Sequence, residues 1–133
     1  MNYLLDTNIC IYIINKKPSS VIKHIQSKRP EQIAISTITQ AELEYGIARS
    51  RNIDQNRVAL LEFLFPFLLI DFDQMAAVQY GLIRASLVAR GKPIGSMDML
   101  LAAQAMSRDL ILVTNNEKEF HRVEGLKLEN WAK

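Results

Sequence analysis

Short apolar blocks separated by longer amphipathic stretches predict strands that alternate with helices along the chain. Four blocks rich in aliphatic or β-branched residues are too short for helices, and they predict strands at residues 3–5, 33–36, 68–71 and 110–114. A weaker block at residues 126–128 is a candidate edge strand. The pattern therefore predicts four or five strands.

The stretches between these blocks carry apolar residues at the three- and four-residue spacing of an α-helix. In the longest of them, Ala77, Tyr80, Ile83 and Leu87 share one face. The predicted helices cover residues 7–15, 18–27, 37–51, 54–65, 74–90 and 97–108, with one helical turn at 117–121. Residues suited to capping stand at several starts: Asp6 or Thr7, Thr37 or Thr39, and Asp73.

Strands separated by helices predict an α/β fold with a central parallel sheet covered by helices on both faces. No repeat, linker or low-complexity segment divides the chain, so we expect residues 1–133 to form one domain. Parallel sheets of this kind bind ligands beyond the carboxyl ends of their strands. The residues just after each predicted strand are therefore the candidates for function.

Composition narrows the class of protein. With 49% hydrophobic and 23% charged residues, the chain has the composition of a globular rather than a disordered protein. Cys10 is the only cysteine, which excludes an intrachain disulfide and a zinc ribbon. Asp6 interrupts the first apolar run, and Glu62 and Pro66 interrupt the most apolar stretch, residues 58–70. We therefore expect neither a secretory signal nor a membrane span, and a cytoplasmic location.

The net charge of +2 and the isoelectric point near 8.8 are only mildly basic. If several acids gather in one pocket, the remaining surface is more basic than the total suggests, which would suit a polyanionic substrate. An ordinary solvated surface explains the same charge equally well. Net charge alone therefore leaves both interpretations open.

Asp6 and Asp98 are candidate site acids that each have a structural alternative. Asp6 directly follows the first predicted strand, where a helix N-cap is the structural alternative to a site carboxylate. Asp98 is the only charged residue between Pro93 and Arg108. The helix dipole, with Ser96 as the cap, explains an acid at that end but not an otherwise apolar helix. Both acids are candidates for a site.

Glu42 and Glu44 lie two residues apart on the third predicted helix, so their side chains face different directions. Glu42 shares a face with Ile38, Ala41 and Tyr45, which we expect to point toward the core. Glu44 faces solvent in this prediction. A glutamate on the packed side of a helix needs a partner, so Glu42 is the preferred site residue.

Carboxylates from Asp6, Glu42 and Asp98 at one site would repel one another, and one of them would take up a proton. A divalent cation removes that penalty. The candidate metal ligands are all oxygen atoms, because the sequence has no Cys or His cluster. Oxygen ligands favour Mg²⁺ or Mn²⁺ over Zn²⁺. An ion of this kind suits hydrolysis of phosphodiester bonds.

Four short motifs resemble, in order, those of the PIN domain of VapC toxins, the ribonuclease halves of VapBC toxin–antitoxin modules. They are Leu5-Asp6-Thr7-Asn8, Ala41-Glu42-Leu43 with Gly46, Ile94-Gly95 followed by Asp98 and Ala102-Ala103, and Val113-Thr114-Asn115-Asn116 with Glu119-Phe120. Each motif is weak alone. Together they span the chain in the order of that family.

The resemblance implies a PIN-like fold and a toxin endoribonuclease that hydrolyses RNA. It implies that Asp6, Glu42 and Asp98 bind Mg²⁺ or Mn²⁺ and carry catalysis. The residues that it implies around the pocket are Thr7, Asn8, Thr114, Asn116 and Glu119. Its Asp-Thr-Asn-Ile-Cys and Thr-Asn-Asn patterns further imply cleavage of tRNA, with the anticodon loop of initiator tRNA as the expected target, and hence inhibition of translation.

The resemblance also implies partners. These are a VapB-type antitoxin whose tail covers the pocket, a toxin homodimer that assembles further with the antitoxin, and operator DNA contacted only through the antitoxin. No membrane partner is expected. Residues 63–67 are a candidate protein interface, with core packing as the alternative, and the candidates for holding RNA are Lys16, Lys17, Arg49, Arg51 and Arg84.

One position departs from the family pattern. Many PIN domains carry a fourth acid in a Thr-x-Asp pattern after the last strand, where this chain has Asn116. An amide oxygen can ligate a metal but brings no charge, so a second metal site would be weaker. Glu119, three residues on, could supply the charge, and a surface glutamate is the alternative.

Three other functions remain as alternatives. Asp71 and Asp73 resemble the Asp-x-Asp opening of haloacid-dehalogenase-type phosphatases, although Met75 replaces the usual Thr or Val and Asp73 also suits a helix cap. His24 and His121 could serve a metal-free ribonuclease, although both lie in polar segments. A non-enzymatic interaction module would explain the apolar middle of the chain, but not an acid in an apolar helix.

Overall fold

Five short parallel strands form the centre of the computed structural model, which describes residues 1–133. The sheet has the order β3-β2-β1-β4-β5, and every neighbouring pair is parallel. The strands are β1 (Tyr3–Leu5), β2 (Ile33–Ser36), β3 (Leu68–Ile70), β4 (Ile111–Val113) and β5 (Leu128–Glu129). The predicted α/β fold with a parallel sheet is confirmed.

Seven α-helices and one short 3₁₀ turn connect the strands. They are α1 (Thr7–Ile14), α2 (Ser19–Gln26), the 3₁₀ turn Pro30–Gln32, α3 (Thr37–Ala48), α4 (Ile53–Leu64), α5 (Gln74–Ala89), α6 (Ser96–Ser107) and α7 (Glu117–Phe120). The element order agrees with the sequence pattern throughout. None of the helices combines the length and the apolar character that crossing a membrane requires.

Two predicted boundaries were wrong. The last strand lies at Leu128–Glu129 rather than at residues 126–128, because its register pairs Leu128 with Leu112 of β4. Helix α3 ends at Ala48 rather than near residue 51. The hydroxyl of Ser50 donates to the carbonyl of Ile47 and so satisfies one of the free acceptors at the helix end.

The hydrophobic core has two parts, one on each face of the sheet. On one face, Leu4 and Leu112 pack against the buried residues of α5 and α6, such as Leu87 and Leu101. On the other face, the buried side chains of the strands pack against α1 to α4 and against Trp131: Leu5, Ile33, Ile35 and Val113. Because successive strand residues face opposite sides, both faces are apolar and both need helices.

Two of the predicted helix faces were wrong. The buried stripe of α3 consists of Thr39, Leu43 and Ile47, whereas Ala41 and Tyr45 are exposed. A polar residue, Thr39, begins that stripe, which hid it from a search for apolar spacing. In α5, Ala76 is buried with Ile83 and Leu87, and Ala77 is exposed. At the start of α5, the buried residue is therefore Ala76 rather than the predicted Ala77.

The candidate interface at residues 63–67 divides between core and surface. Phe63 and Phe67 contact each other edge to face, with ring centroids 5.4 Å apart, and both pack against the core. Phe65 between them is 91% exposed. Phe65 and Pro66 are therefore the exposed residues of this segment, and Phe65 is its exposed aromatic ring.

One buried polar network crosses the core at the carboxyl ends of β2 and β3. The hydroxyl of Ser36 donates to the side-chain carbonyl of Gln104 in α6 and accepts from the backbone N–H of Ile38 at 3.0 Å. The amide nitrogen of Gln104 donates to the carbonyls of Ile70 and Asp71, at 3.2 and 3.0 Å. The network fixes the start of α3 against α6.

Candidate active site

A cluster of polar side chains around Asp6, called the acidic pocket below, lies at the carboxyl edge of the sheet, and only 5% of Asp6 is exposed. Its Oδ1 accepts a 2.7 Å hydrogen bond from the backbone N–H of Thr7, which caps α1. Its Oδ2 accepts a 2.8 Å hydrogen bond from the hydroxyl of Thr114 at the end of β4. The two functions considered for Asp6, helix cap and pocket carboxylate, therefore use different oxygens.

Glu42 reaches the same pocket from α3. The Thr7 hydroxyl donates a 2.6 Å hydrogen bond to Glu42 Oε1, and the Thr7 and Thr39 hydroxyls lie 3.5 Å apart. Glu44 instead forms an ion pair with Arg57 of α4, with 2.8 Å between Nη1 and Oε1. The preference for Glu42 over Glu44 agrees with this geometry, although the expected core face of α3 was wrong.

Asp98 and Glu119 flank Gly95 on the other side of the pocket. The backbone N–H of Gly95 donates a 2.7 Å hydrogen bond to Glu119 Oε1. A Cβ atom at Gly95 would lie 3.3 Å from Asp98 Oδ2 and 3.7 Å from Glu119 Oε1, which is tight packing for the nearer carboxylate. A glycine therefore leaves room for both acids. When protonated, Asp98 is close enough to donate a hydrogen bond to Glu119.

The loop after β4 connects the two sides. Thr114 accepts a 2.9 Å hydrogen bond from the backbone N–H of Asn116 through the same hydroxyl that bonds Asp6. The Asn116 amide donates a 2.6 Å hydrogen bond to Glu119 Oε2. Of the expected pocket residues, Asn8 alone makes no side-chain hydrogen bond, and it is exposed in the first turn of α1.

The pocket carries an excess of negative charge. Burial, followed by the charges of Asp6, Glu119 and Glu42, raises the pKa of Asp98 to about 7. Burial also raises the pKa of Asp6, against the opposing effect of its hydrogen bonds from Thr114 and Thr7. The hydrogen bond from the Gly95 N–H is the main cause of a lowered pKa at Glu119.

The donor set fits a hard divalent cation. Carboxylate, hydroxyl and amide oxygens line the pocket without a Cys or His ligand, and no lysine or arginine forms an ion pair with any of the four acids. No group of three or more His, Cys, Asp or Glu side chains is close enough together to hold a metal ion in this geometry. A few carboxylates that are further apart suit a hard divalent ion that keeps several waters better than a closed structural site.

The alternative catalytic residues lie outside this constellation. Asp73 accepts a hydrogen bond from the N–H of Ala76 as the cap of α5 and contacts Arg108, and Asp71 is exposed. His24 stacks on Trp131 with centroids 5.4 Å apart, and His121 is exposed. Neither histidine shares a hydrogen bond with a pocket acid, so the geometry supports neither a phosphatase nor a histidine mechanism.

Two residues of the pocket, Thr39 and Gly95, were not predicted as site residues. Thr39 lies beside Thr7 and is fully buried, and Gly95 supplies the N–H that holds Glu119. The signal for Thr39 was its four-residue spacing from Leu43 and Ile47. The signal for Gly95 was its place in the Ile94-Gly95 motif, three residues before Asp98.

A family model described as PIN domain matches residues 3–126 of the chain. Among curated proteins, the chain is similar to Ribonuclease VapC2 of Rickettsia felis, at 44% identity over 100% of both chains. It is also similar to the tRNA(fMet)-specific endonuclease VapC of Shigella flexneri, at 40% identity over 99% of both chains.

Solved structures give the same relationship. The fold matches a chain of VapBC2 from Rickettsia felis bound to a DNA fragment from its promoter, with a TM-score of 0.92, 43% identity, and 98% and 99% of the two chains covered. It matches DNA-bound VapBC from Salmonella typhimurium with a TM-score of 0.93, 37% identity, and 98% of both chains covered.

Proposed function

This chain belongs to the PIN domain family and, within it, to the VapC ribonucleases, and from that premise we propose that residues 1–133 act as one metal-dependent endoribonuclease domain. The observation that carries the proposal is that Asp6, Glu42, Asp98 and Glu119, from four separate segments, lie close enough to repel one another, and none of them forms an ion pair with a lysine or arginine. The relatives are named ribonucleases and endonucleases, so the proposed reaction is cleavage of RNA.

Asp6, Glu42 and Asp98 are the residues that would hold Mg²⁺ or Mn²⁺. When bound, the divalent ion supplies Lewis-acid stabilisation of the charge that develops on the phosphate during hydrolysis. Thr7 orients the Glu42 carboxylate and Thr114 orients Asp6 Oδ2, so both oxygens are held in place before substrate arrives. Asn116 brings no charge, so Glu119 completes the acidic set.

The substrate that the relatives favour is tRNA. Relatives from Shigella flexneri and Salmonella typhimurium are named tRNA(fMet)-specific endonucleases, at 40% and 37% identity. We expect this chain to cut initiator tRNA in the anticodon loop and thereby to inhibit translation as a toxin. A cytoplasmic location follows from that substrate and belongs to the same proposal.

The expected partners follow from the structural relatives, which are VapBC complexes, two of them bound to DNA. We expect a VapB-type antitoxin whose tail covers the acidic pocket, and a toxin homodimer that assembles further with the antitoxin. Contact with operator DNA would come from the antitoxin. No membrane partner is part of this proposal.

The direct test is sequencing of RNA ends after expression of the parent chain and of the Asp98→Asn variant. Removal of one carboxylate weakens metal binding, so we expect growth arrest and discrete tRNA cuts with the parent and neither with the variant. Purified parent protein should lose cleavage in EDTA and regain it with Mg²⁺ or Mn²⁺.

A matched pair on one helix controls for general damage to α3. Glu42→Gln should lose at least about a hundredfold in cleavage rate, whereas Glu44→Gln, whose side chain pairs with Arg57, should retain it. Cleavage that persists in EDTA, or equal cuts from the parent and Asp98→Asn, would contradict the proposed function.

A further inference from the structure

Tyr45 is a large ring left free beside the acidic pocket. It follows Glu42 by three residues on α3, so the two side chains are neighbours on the helix surface. The residue is 69% exposed. Its hydroxyl has no hydrogen-bond partner, whereas the hydroxyls of Tyr12 and Tyr80 accept from Asn115 and Arg84. No hydrogen bond within this chain therefore fixes the Tyr45 ring, which lies largely in solvent with the Arg49 guanidinium over it.

Arg49, one turn further along, is an unpaired positive charge. Its guanidinium carbon lies 5.4 Å from the centroid of the Tyr45 ring. No acid forms an ion pair with it, in contrast to Arg57, which Glu44 neutralises at 2.8 Å. Arg49 thus brings a free cation next to a pocket of carboxylates without contacting them.

Tyr45 and Arg49 border a groove of about 330 Å³ that runs out of the acidic pocket. Thr7 and Glu42 belong to both the groove and the acidic pocket. An RNA strand lying in the groove would therefore reach the acids. Apolar side chains such as Ile11, Leu43 and Leu60 form much of the lining of the groove, and the exposed Tyr45 and Arg49 belong to the same lining. An apolar cleft with a flat ring and a cation at its edge suits a nucleotide.

We propose that Tyr45 stacks on a nucleobase next to the bond that is cleaved and that Arg49 binds the adjoining phosphate. The inference rests on the proposed function, because Tyr45 and Arg49 would bind the RNA that the neighbouring acids are proposed to cleave. Acidic residues repel the RNA backbone, and an unpaired arginine offsets that repulsion. Stacking on an aromatic ring tolerates any base, so this contact holds the strand without reading its sequence.

The test is RNA binding by the full-length chain, measured with a synthetic RNA stem-loop in an Asp98→Asn background that cannot cleave it. Tyr45→Ala should weaken binding about tenfold, Tyr45→Phe should bind like the parent, and Tyr45→Leu should stay weak because it lacks a ring. In cleavage-competent protein, Tyr45→Ala should raise KM with little change in the rate at saturating RNA.

Arg49 is tested by the salt dependence of the same binding. Arg49→Ala should reduce the slope of log Kd against log salt by about one, and Arg49→Lys should keep it. Arg57→Ala, which removes a neutralised arginine, and Phe65→Ala, which removes an exposed ring outside the groove, should leave binding unchanged. Melting temperatures of all variants check that each folds.

The outcomes separate this inference from the proposed function. Unchanged RNA binding by Tyr45→Ala and Arg49→Ala would overturn the inference while leaving cleavage standing. Equal binding by Tyr45→Leu and the parent would also overturn it, because an apolar contact, as in a groove for a protein segment, needs no ring. A parent chain that cuts no RNA contradicts the proposed function. The binding measurements would still test whether Tyr45 and Arg49 contact RNA.

Discussion

Single residues in the pocket carry structural and chemical roles at the same time. Asp6 caps α1 with one oxygen and bonds Thr114 with the other, and Thr114 also holds the backbone of Asn116. Asp98 accepts no hydrogen bond from a backbone N–H or a hydroxyl, and burial, followed by the charges of neighbouring acids, raises its pKa. The charged form of Asp98 is therefore disfavoured in this pocket, and a bound cation would stabilise it.

The raised pKa of Asp98 predicts that the Asp98→Asn variant is more stable than the parent in EDTA at pH 8. The pKa of Asp98 rises from its ordinary value of 3.8 to about 7 in the folded chain. The folded state therefore holds a proton that the unfolded state releases, and stability falls as the pH rises from about 4 and is lowest above about 7. Asparagine removes the repulsion.

Solvent screens part of that repulsion, so we expect a gain of about 1 kcal/mol, or roughly 2–5 °C in Tm. Thermal unfolding in EDTA at several pH values measures it. The difference between the two proteins should disappear toward pH 4, where both side chains are neutral. If the parent were more stable than Asp98→Asn at pH 8 in EDTA, the pocket would not carry an excess of negative charge.

At the scale of elements, the buried polar network holds the pocket helices in register. Gln104 is the one polar residue in the buried part of α6, and it bonds Ser36 and the carbonyls of Ile70 and Asp71. These bonds join the helix that carries Asp98 to the start of the helix that carries Glu42. The amide thus sets the position of two elements that meet at the pocket.

Gln104→Leu should destabilise the protein by about 2–3 kcal/mol. Leucine has a similar size but leaves the Ser36 hydroxyl and two carbonyls without their partner in the core. Urea denaturation measures the loss. Gln55→Leu, at an exposed position of α4, should change stability by less than about 0.5 kcal/mol. A loss at Gln104 no larger than this control would show that the network is dispensable.

At the scale of the whole molecule, the end of the chain completes the core on one face of the sheet. Trp131 is fully buried, contacts Tyr3 edge to face with centroids 5.4 Å apart, and stacks under His24. Its indole N–H donates to Glu129 at 2.9 Å. Residues from the first strand, the second helix and the last turn therefore close this core together.

Trp131→Ala should cost about 3–5 kcal/mol of unfolding free energy, because it removes the largest buried side chain of this core. Thermal or urea unfolding measures the loss. Lys133→Ala removes only an exposed ion pair with Glu117 and should cost less than about 1 kcal/mol. If the two variants lost equal stability, Trp131 would not be the element that closes the core.

Local sequence was enough to predict the order of strands and helices, the cap at Asp73, a cap at Asp6 or Thr7, and the oxygen-only character of the candidate ligands. These features depend on neighbours a few residues away, as the 2.7 and 3.0 Å cap bonds illustrate. Periodicity also explains why the fifth strand was misplaced, since two residues carry little pattern and only the register with β4 fixes them.

Which side chains share a surface depended on the packing of distant elements. Packing exposed Tyr45, which the helical pattern assigned to the core, and buried Thr39 in its place. It also raised the pKa of Asp98, first by burying the side chain and then by bringing acids from three other segments around it. Burial and charge repulsion depend on distances between residues far apart in the chain, and packing of the helices on the sheet sets those distances.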